Sequence, residues 1–306
     1  MLIYILSRNA KLYSTQSLVA AVEKSGNRVR VIDYLKLTIE IMKNELKMHY
    51  EGQELEKPNA VIPRIGASHT FYGTSIVRHF ESMGVFVANG SLAITRSRDK
   101  LRSHQVMSKA GVDIPRTVFA SNKSNVKDVI ALAGGVPLVV KILEGTQGVG
   151  VVLIETQKAA KSVLDAFNGM NVNFLVQEFI EEAGGADIRA FVVGNKVVGA
   201  MMRTGAEGDF RSNLHQGGTA IKYKLSKEEK ITALKAAKAT GLSICGVDMI
   251  KSKRGPLVME VNSSPGLEGI ELSTKRDISG AIIKYIIEAV GDKTNPKKTP
   301  KDKIGV

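Results

Sequence analysis

Two strand-like runs, Val247-Asp248-Met249-Ile250-Lys251 and Leu257-Val258-Met259-Glu260-Val261-Asn262, flank the turn-rich Ser252-Lys253-Arg254-Gly255-Pro256. With Lys251 paired to Leu257, the antiparallel register sets Asp248 directly opposite Glu260, and Asn262, two residues on, shares that face. Carboxylates facing each other across a ladder repel unless a cation lies between them. Two carboxylates and an amide oxygen form a hard oxygen set suited to Mg2+, an ion that also holds phosphate oxygens. The plainer alternative is a polar, solvent-facing hairpin edge.

A second constellation is the apolar run Pro137 to Leu143 with Lys141 in it, followed by Glu144-Gly145-Thr146-Gln147-Gly148-Val149-Gly150 and then Val151 to Ile154. The glycine-rich stretch joins two β-type runs, so it reads as a hairpin. Gly145, Gly148 and Gly150 let backbone N–H groups approach an anion closely. Lys141 would add a point charge for phosphates. A hairpin that closes over a triphosphate would keep water from a reactive intermediate. Standing alone, such a loop is more often only a turn.

Two further stretches are polar where chemistry could use it. The loop Gly208 to Gly218 carries Arg211 and Asn213, which could bind a phosphoryl or carboxylate group, and His215, to which no catalytic role is given. Val176-Gln177-Glu178-Phe179-Ile180 could read an adenine through backbone groups near Glu178 and Phe179, with Asp187 accepting from ribose hydroxyls. With Gly194-Asn195 as the turn, Asp187 and Arg189 share one face of the next hairpin. A solvated strand face is the alternative for that pair.

These residues need elements to hold them. The first region, 1–96, alternates strand and helix signals: Leu2 to Leu6, a helix through Leu18, Val19 and Val22 ended by Gly26, Arg28 to Asp33, Asn59 to Ile65, a helix over Thr70 to Met83, and Val85 to Ala88. That order implies a parallel, doubly wound layer. Neither G-x-G-x-x-G nor G-x-x-x-x-G-K-[ST] is present. The second region, 97–177, opens with a helix over Asp99 to Lys109. The third, 178–290, is entered through Phe174 to Phe179 and holds two hairpins, a helix opened by the capping box Ser226-Lys227-Glu228-Glu229, and a terminal helix. The expected class is an α/β layer followed by two α+β lobes, with a basic flexible tail over 291–306.

The chain of 306 residues is 43% hydrophobic, enough for a sizeable core in two or three domains. The longest apolar runs fall short of the about 18 residues that span a bilayer, so no membrane association is expected. Its single cysteine, Cys245, sits in an apolar run, which excludes a disulfide framework or a Cys-based zinc site and fits a reducing cytoplasm. The net charge of +13 speaks of anionic partners: an acidic protein, an anionic substrate or nucleic acid. Aromatics at 5%, without an RNP-type pair, argue against direct nucleic-acid binding.

Taken in order, Lys141 with its glycine loop, Gln177-Glu178-Phe179-Ile180, Arg211-Ser212-Asn213-Leu214, and Asp248 with Glu260-Val261-Asn262 resemble the ATP-grasp superfamily. Leu6-Ser7-Arg8, Val61 to Gly66, Phe71-Tyr72-Gly73-Thr74, Arg98 to Ser103 and Asn262 to Ile270 narrow the likeness to the RimK family, over residues 1 to about 290. Ser263 stands where alanine is expected, at a position that is not a ligand. The resemblance implies an ATP-grasp fold with a pre-ATP-grasp domain, and ATP with two Mg2+ or Mn2+. It matches Lys100 and Lys141 to phosphate contacts, and Gly145, Gly148 and Gly150 to the lid. Glu178 and Phe179 match the adenine hinge, with Asp187 and Arg189 as further nucleotide contacts. Arg211, Ser212 and Asn213 match the loop facing the γ-phosphate, and Arg203 a phosphoryl contact. The Gly194-Asn195 register, however, directs Arg203 away from Asp187 and Arg189 unless a bulge intervenes. Asp248, Glu260 and Asn262 match the metal ligands.

The implied activity is an ADP-forming ligase that joins L-glutamate to the acidic C-terminus of the small-subunit ribosomal protein S6 through an acyl phosphate, or makes free poly-α-glutamate. A homo-oligomer, up to a tetramer, is implied with it. A ligase for an amino-acid carrier protein or a coenzyme γ-glutamyl acceptor, and a non-catalytic nucleotide- or ribosome-binding protein, are the alternatives.

Overall fold

A computed structural model describes residues 1–121, 123–143, 150–206 and 217–291 of the chain. The strand Leu2–Leu6 lies between Arg28–Ile32 and Ala60–Pro63, and Phe86–Val87 completes a four-stranded layer, all of it parallel. Every residue of Leu2–Leu6 is buried, because helices cover both faces. Ile3 and Ile5 pack with Leu18 and Val22 of the helix Tyr13–Lys24. Leu2, Tyr4 and Leu6 pack with Ile76, Val77 and Phe80 of the helix Thr70–Ser82. The expected doubly wound layer is therefore present. Between Asp33 and Asn59 the chain adds a three-stranded antiparallel sheet, Leu37–Met42, Glu45–Tyr50 and Gln53–Glu54, which residue patterning does not predict. Its first turn places Asn44 at φ 63°, a left-handed conformation that asparagine tolerates.

The central sheet runs Val151–Ile154, Leu138–Ile142, Phe174–Glu178, Thr117–Phe119, antiparallel throughout. The glycine-rich stretch does join an antiparallel pair, with Val151 opposite Lys141. Phe174–Glu178 is an interior strand of this sheet, not the opening of the third region, because its apolar residues pack into the central core with Leu138 and Val140.

The third sheet has five strands in the order Thr219–Lys222, Lys196–Thr204, Ala186–Val193, Ile244–Ser252, Gly255–Asn262. The helix Lys227–Thr240 covers one face; its capping box forms, with the Ser226 hydroxyl on the Glu229 N–H and the Glu229 carboxylate on the Ser226 N–H. The helices Ser91–Arg98 and Lys100–Lys109 also join this core, through Ala93 and Met107. On the other face the terminal helix Ile278–Gly291 brings Ile282, Ile283 and Ile286 against Phe191 and Met201 of the sheet and Ile3 and Ile5 of the first layer. First and third regions thus share one core. Asn89, 4% exposed, fastens them further. Its amide donates to the carbonyls of Ile244 and Ser263, at 2.7 and 3.0 Å, and its Oδ1 accepts from the N–H groups of Ser243 and Ile244.

Removing the Asn89 side chain leaves buried backbone groups unpaired. Asn89→Ala is expected to lower the unfolding free energy by about 3 kcal/mol. Urea denaturation would read this as a lower midpoint, and an unchanged midpoint would show that the latch contributes nothing.

Candidate active site

The site is built where two hairpins of the five-stranded sheet slip register. In the hairpin Ala186–Val193 with Lys196–Thr204, Val192 pairs with Val197 but Phe191 pairs with Gly199. Val198 is the extra residue, a β-bulge. Beyond it, Arg203 faces Asp187 directly. The register carried from the Gly194-Asn195 turn alone would have turned Arg203 to the opposite face, so the bulge is what brings it in. In the hairpin Ile244–Ser252 with Gly255–Asn262, Lys251 pairs with Pro256 rather than Leu257. A bulge at Met259 then restores the opposition of Asp248 and Glu260. The pairing expected from sequence is correct at the functional position, and the register expected at the turn is not. Gly255 holds φ +100° there, which closes the hairpin one residue earlier.

One row across the sheet now reads Arg189, Asp248, Glu260. Asp248 is 3% exposed. Arg189 donates Nε to Asp248 Oδ1 at 2.6 Å and Nη2 to Oδ2 at 2.5 Å. Arg203 donates Nε and Nη2 to the two oxygens of Asp187 at 2.7 and 2.5 Å, and Nη2 also reaches Asp248 Oδ2 at 2.9 Å. The result is a chain of alternating charge, Arg189, Asp248, Arg203, Asp187. Burial alone would raise the Asp248 carboxyl, but the two guanidiniums overcome it and hold the group down at about 2.

The oxygen set expected for a cation is assembled at the end of this row. Asn262 donates Nδ2 to Glu260 Oε1 at 2.9 Å and to Asp248 Oδ2 at 3.3 Å. The amide NH2 thus bridges two carboxylates, in the position where a cation would satisfy both. Rotation of that amide would offer Oδ1 instead, giving three oxygens of the hard type that Mg2+ takes. Among the described residues no cluster of three His, Cys, Asp or Glu side chains could hold a metal, in keeping with a set whose third member is asparagine.

Two lysines stand near this row, Lys141 on the central sheet and Lys100 at the start of the helix Lys100–Lys109. Burial lowers Lys141 to about 8; Glu260 opposes the shift and Lys100 adds to it. Burial also lowers Lys100, again opposed by Glu260. Both ammonium groups are therefore electrostatic neighbours of Glu260. Lys100 Nζ donates to the carbonyl of Leu143, at the start of the glycine-rich stretch, at 3.0 Å. Gly150, at φ +77°, closes that stretch, and a Cβ there would lie 2.9 Å from Ile142 Cδ1. At the hinge, Glu178 is partly desolvated, which would raise its carboxyl. The N–H of Arg116 and the guanidinium of Arg254 outweigh this and keep it low. The Phe179 N–H donates to Pro137 at 3.4 Å.

The structure thus brings together Lys100, Lys141, Asp187, Arg189, Arg203, Asp248, Glu260 and Asn262. It ties Asp187 to Arg203 and not to solvent. Gly145, Gly148, Arg211, Ser212 and Asn213 lie outside the described residues, as does the tail beyond 291. Sequence reasoning missed His104, whose Nδ1–H donates to the Lys100 carbonyl at 2.7 Å while Nε2 accepts from the Gln177 amide at 3.0 Å. Burial lowers it to about 4, so it is neutral. It stands four residues after Lys100 on one helix face, a spacing that could have marked it.

A RimK-like ATP-grasp domain model matches residues 97–286, and a RimK pre-ATP-grasp domain model matches 1–94. The chain is 58% identical over 298 residues to a protein of Vibrio vulnificus named "Probable alpha-L-glutamate ligase", covering 97% of this chain and 99% of that one. A Vibrio atlanticus protein of the same name is 61% identical over 286 residues, covering 94% and 95%. The fold resembles that of the ATP-grasp ligase PsnB in complex with a phosphomimetic variant of its minimal precursor, Mg and ADP. There the TM-score is 0.72 at 19% identity, over 94% of this chain and 97% of the other. It also resembles D-alanine–D-alanine ligase from Bacillus anthracis, with a TM-score of 0.65 at 17% identity over 95% and 97%.

Asp248→Asn would leave two buried guanidiniums sharing one carboxylate. Without divalent cations at neutral pH it is expected to cost about 3–5 kcal/mol. Because the folded carboxyl lies at about 2, below its unfolded value of 3.8, wild type holds this stability above pH 3.8 and loses it as pH falls through 2. The two urea midpoints should converge over that window. A gap that stays constant down to pH 2 would contradict this reading of the charge.

Proposed function

The chain belongs to the RimK family of ATP-grasp ligases, which are ADP-forming enzymes, and on that premise we propose that it joins L-glutamate to a polypeptide carboxylate at the row Asp248, Glu260, Asn262. The observation that carries this reading is the convergence of three potential oxygen ligands on one sheet face, with the ammonium groups of Lys100 and Lys141 as electrostatic neighbours of Glu260. That is the charge distribution a polyphosphate and its divalent ions require. Glutamate is supported by the relatives' name, ATP and Mg2+ by the family and by the ligated PsnB structure.

In the proposed reaction the acceptor carboxylate attacks the γ-phosphorus of ATP. ADP leaves with the bridging oxygen, and the amine of glutamate then displaces phosphate from the acyl phosphate. Bound divalent ions would neutralise charge on the transferring phosphoryl group. The chain's own residues supply the rest. Lys141 and Lys100 bind phosphate oxygens. Glu260 and Asn262 orient the ions. Arg189 and Arg203 keep Asp248 ionised beside them. At the hinge the carbonyls of Glu178 and Phe179 read the base, since the two N–H groups are held by the carbonyls of Arg116 and Pro137. This chemistry needs no side-chain nucleophile. The acceptor proposed from the family resemblance is the C-terminus of the small-subunit ribosomal protein S6. The same resemblance supports a cytoplasmic homo-oligomer and two ions, Mg2+ or Mn2+. Among the described residues no helix is long and apolar enough to cross a membrane.

Glu260→Gln removes a charge from an exposed side chain and should leave the fold intact. It is expected to reduce glutamate-dependent ADP release by on the order of 10²-fold or more. Mass spectrometry of wild type with ATP, Mg2+, glutamate and S6 should show a ladder of glutamate additions, whereas additions to free glutamate alone would move the acceptor elsewhere. Undiminished turnover by the variant would remove Glu260 from the site.

The folded Lys141 ammonium is present below pH 8 and lost above it. Calorimetric ADP affinity should fall as pH rises through that value. Lys141→Met should bind ADP at least tenfold more weakly and without that pH step, yet unfold at higher urea at pH 7, because a desolvated charge is gone. Retained affinity in the variant would exclude Lys141 from the phosphate site.

A further inference from the structure

Arg64 and Arg98 stand apart from the charge chain described above. Arg64 follows the strand Ala60–Pro63 at its carboxyl end, the end at which open parallel layers bind ligands. Its N–H donates to the Leu6 carbonyl at 2.9 Å, so the side chain starts beside the end of the neighbouring strand. Its guanidinium makes one hydrogen bond among the described residues, from Nη1 to the Pro265 carbonyl at 2.8 Å. Four further N–H donors remain on that group. Burial lowers Arg64 to about 10, and Arg98 nearby adds to the shift. Arg98 donates Nη1 to the Gly66 carbonyl and to Thr70 Oγ1, at 2.8 and 2.7 Å, and Nη2 to the Ile65 carbonyl. It clamps the turn that follows Arg64. Gly73 lets the helix Thr70–Ser82 close on the same turn; a Cβ there would lie 2.3 Å from Ile65 Cγ2.

Neither guanidinium pairs with a carboxylate among the described residues. The two buried carboxylates of the site are already committed, Asp248 to Arg189 and Asp187 to Arg203, and Glu260 takes the Asn262 amide. Two desolvated cations that repel each other are costly to hold without an anion. The position of the pair says which anion. Pro265, which anchors Arg64, comes three residues after Asn262. It packs at Gly246, where a Cβ would lie 3.1 Å from Pro265 Cβ and 3.4 Å from Arg189 Cδ. Gly246 is the residue opposite Asn262. Arg64 is thereby linked, through Pro265 and Gly246, to the strand position of Asn262 and to Arg189, from the side of the first region.

We propose that Arg64 binds the side-chain carboxylate of the incoming glutamate, a group that does not react, and that Arg98 acts as a positioning residue by holding the Ile65–Gly66 turn behind it. This rests on the glutamate-ligase reading. A guanidinium fork matches a carboxylate in two hydrogen bonds and matches a carboxamide poorly, so Arg64 would select glutamate over glutamine.

The test is steady-state kinetics and calorimetry on Arg64→Gln and Arg64→Lys. Arg64→Gln removes the charge and the guanidinium fork while keeping a polar side chain. KM for glutamate is expected to rise 10- to 100-fold, the preference for glutamate over glutamine to collapse, and KM for ATP to stay within twofold. Arg64→Lys should fall between, keeping charge but not the fork. A glutamate KM within twofold of wild type in Arg64→Gln overturns the proposal, as does a rise confined to KM for the polypeptide acceptor. Should wild type release no ADP in response to glutamate, the ligase reading itself fails. Glutamate titrated into wild type and Arg64→Gln, each saturated with MgADP, then decides Arg64 alone: equal affinity overturns it, and a tenfold loss supports it.

Discussion

A carboxylate with 3% of its surface exposed stays ionised only if positive charge stands beside it, and at Asp248 two guanidiniums do so. Such a cluster is a poor device for stability, since well-packed apolar residues of the same volume often serve as well or better. Its value here is positional. The chain Arg189, Asp248, Arg203, Asp187 fixes a negative oxygen pair one strand in from the edge of the sheet, directly opposite the exposed Glu260. The Asn262 amide already bridges the two. The cation row is therefore rigid on its Asp248 side and adaptable on its Glu260 side, as a site needs that must admit and release a charged ligand.

The two lobes divide the charge between them. The five-stranded sheet supplies the oxygens, and Lys141 of the central sheet supplies a cation that burial has already weakened. Lys100 couples the two. Its helix packs through Met107 into the core of the five-stranded lobe, while its Nζ holds the Leu143 carbonyl of the central one. His104 fixes the Lys100 carbonyl and leans on Gln177 of the hinge strand. Movement of the central lobe would therefore shift Lys141 and the Leu143 end of the glycine-rich stretch relative to an otherwise fixed row of oxygens.

Much of this could be read from residue types and spacing. Leu2 to Leu6, an unbroken apolar run with helices to either side, fixes a buried parallel strand, and Ser226 with Glu229 marks a helix start that the structure reproduces. The opposition of Asp248 and Glu260 was legible because a two-residue period survives whole-hairpin errors that cancel. A turn one residue tighter than expected and a bulge at Met259 do cancel. The family likeness named Arg203, but spacing alone turned it to the wrong face, because a bulge at Val198 depends on how the strand packs against its neighbours and leaves no mark in composition. The hairpin Leu37–Met42 with Glu45–Tyr50 was missed for a related reason: it turns at Lys43-Asn44, without the Asn-Gly or Asp-Gly pair that signals such turns. Nor could spacing show that Asp187, matched to a nucleotide contact, is bound in both oxygens by Arg203.

The central claim is that Asp248, Glu260 and Asn262 hold a divalent cation on the row that Arg189 and Arg203 keep in place. Anomalous diffraction from crystals of the protein grown with Mn2+ and ADP tests it most directly. The expected result is a manganese peak within direct bonding distance, roughly 2.1 Å as for Mg2+, of oxygens of Asp248, Glu260 and Asn262, with the Asn262 amide turned to present Oδ1. A peak elsewhere, or an Asn262 amide still donating to both carboxylates at full occupancy of the nucleotide, would contradict the account.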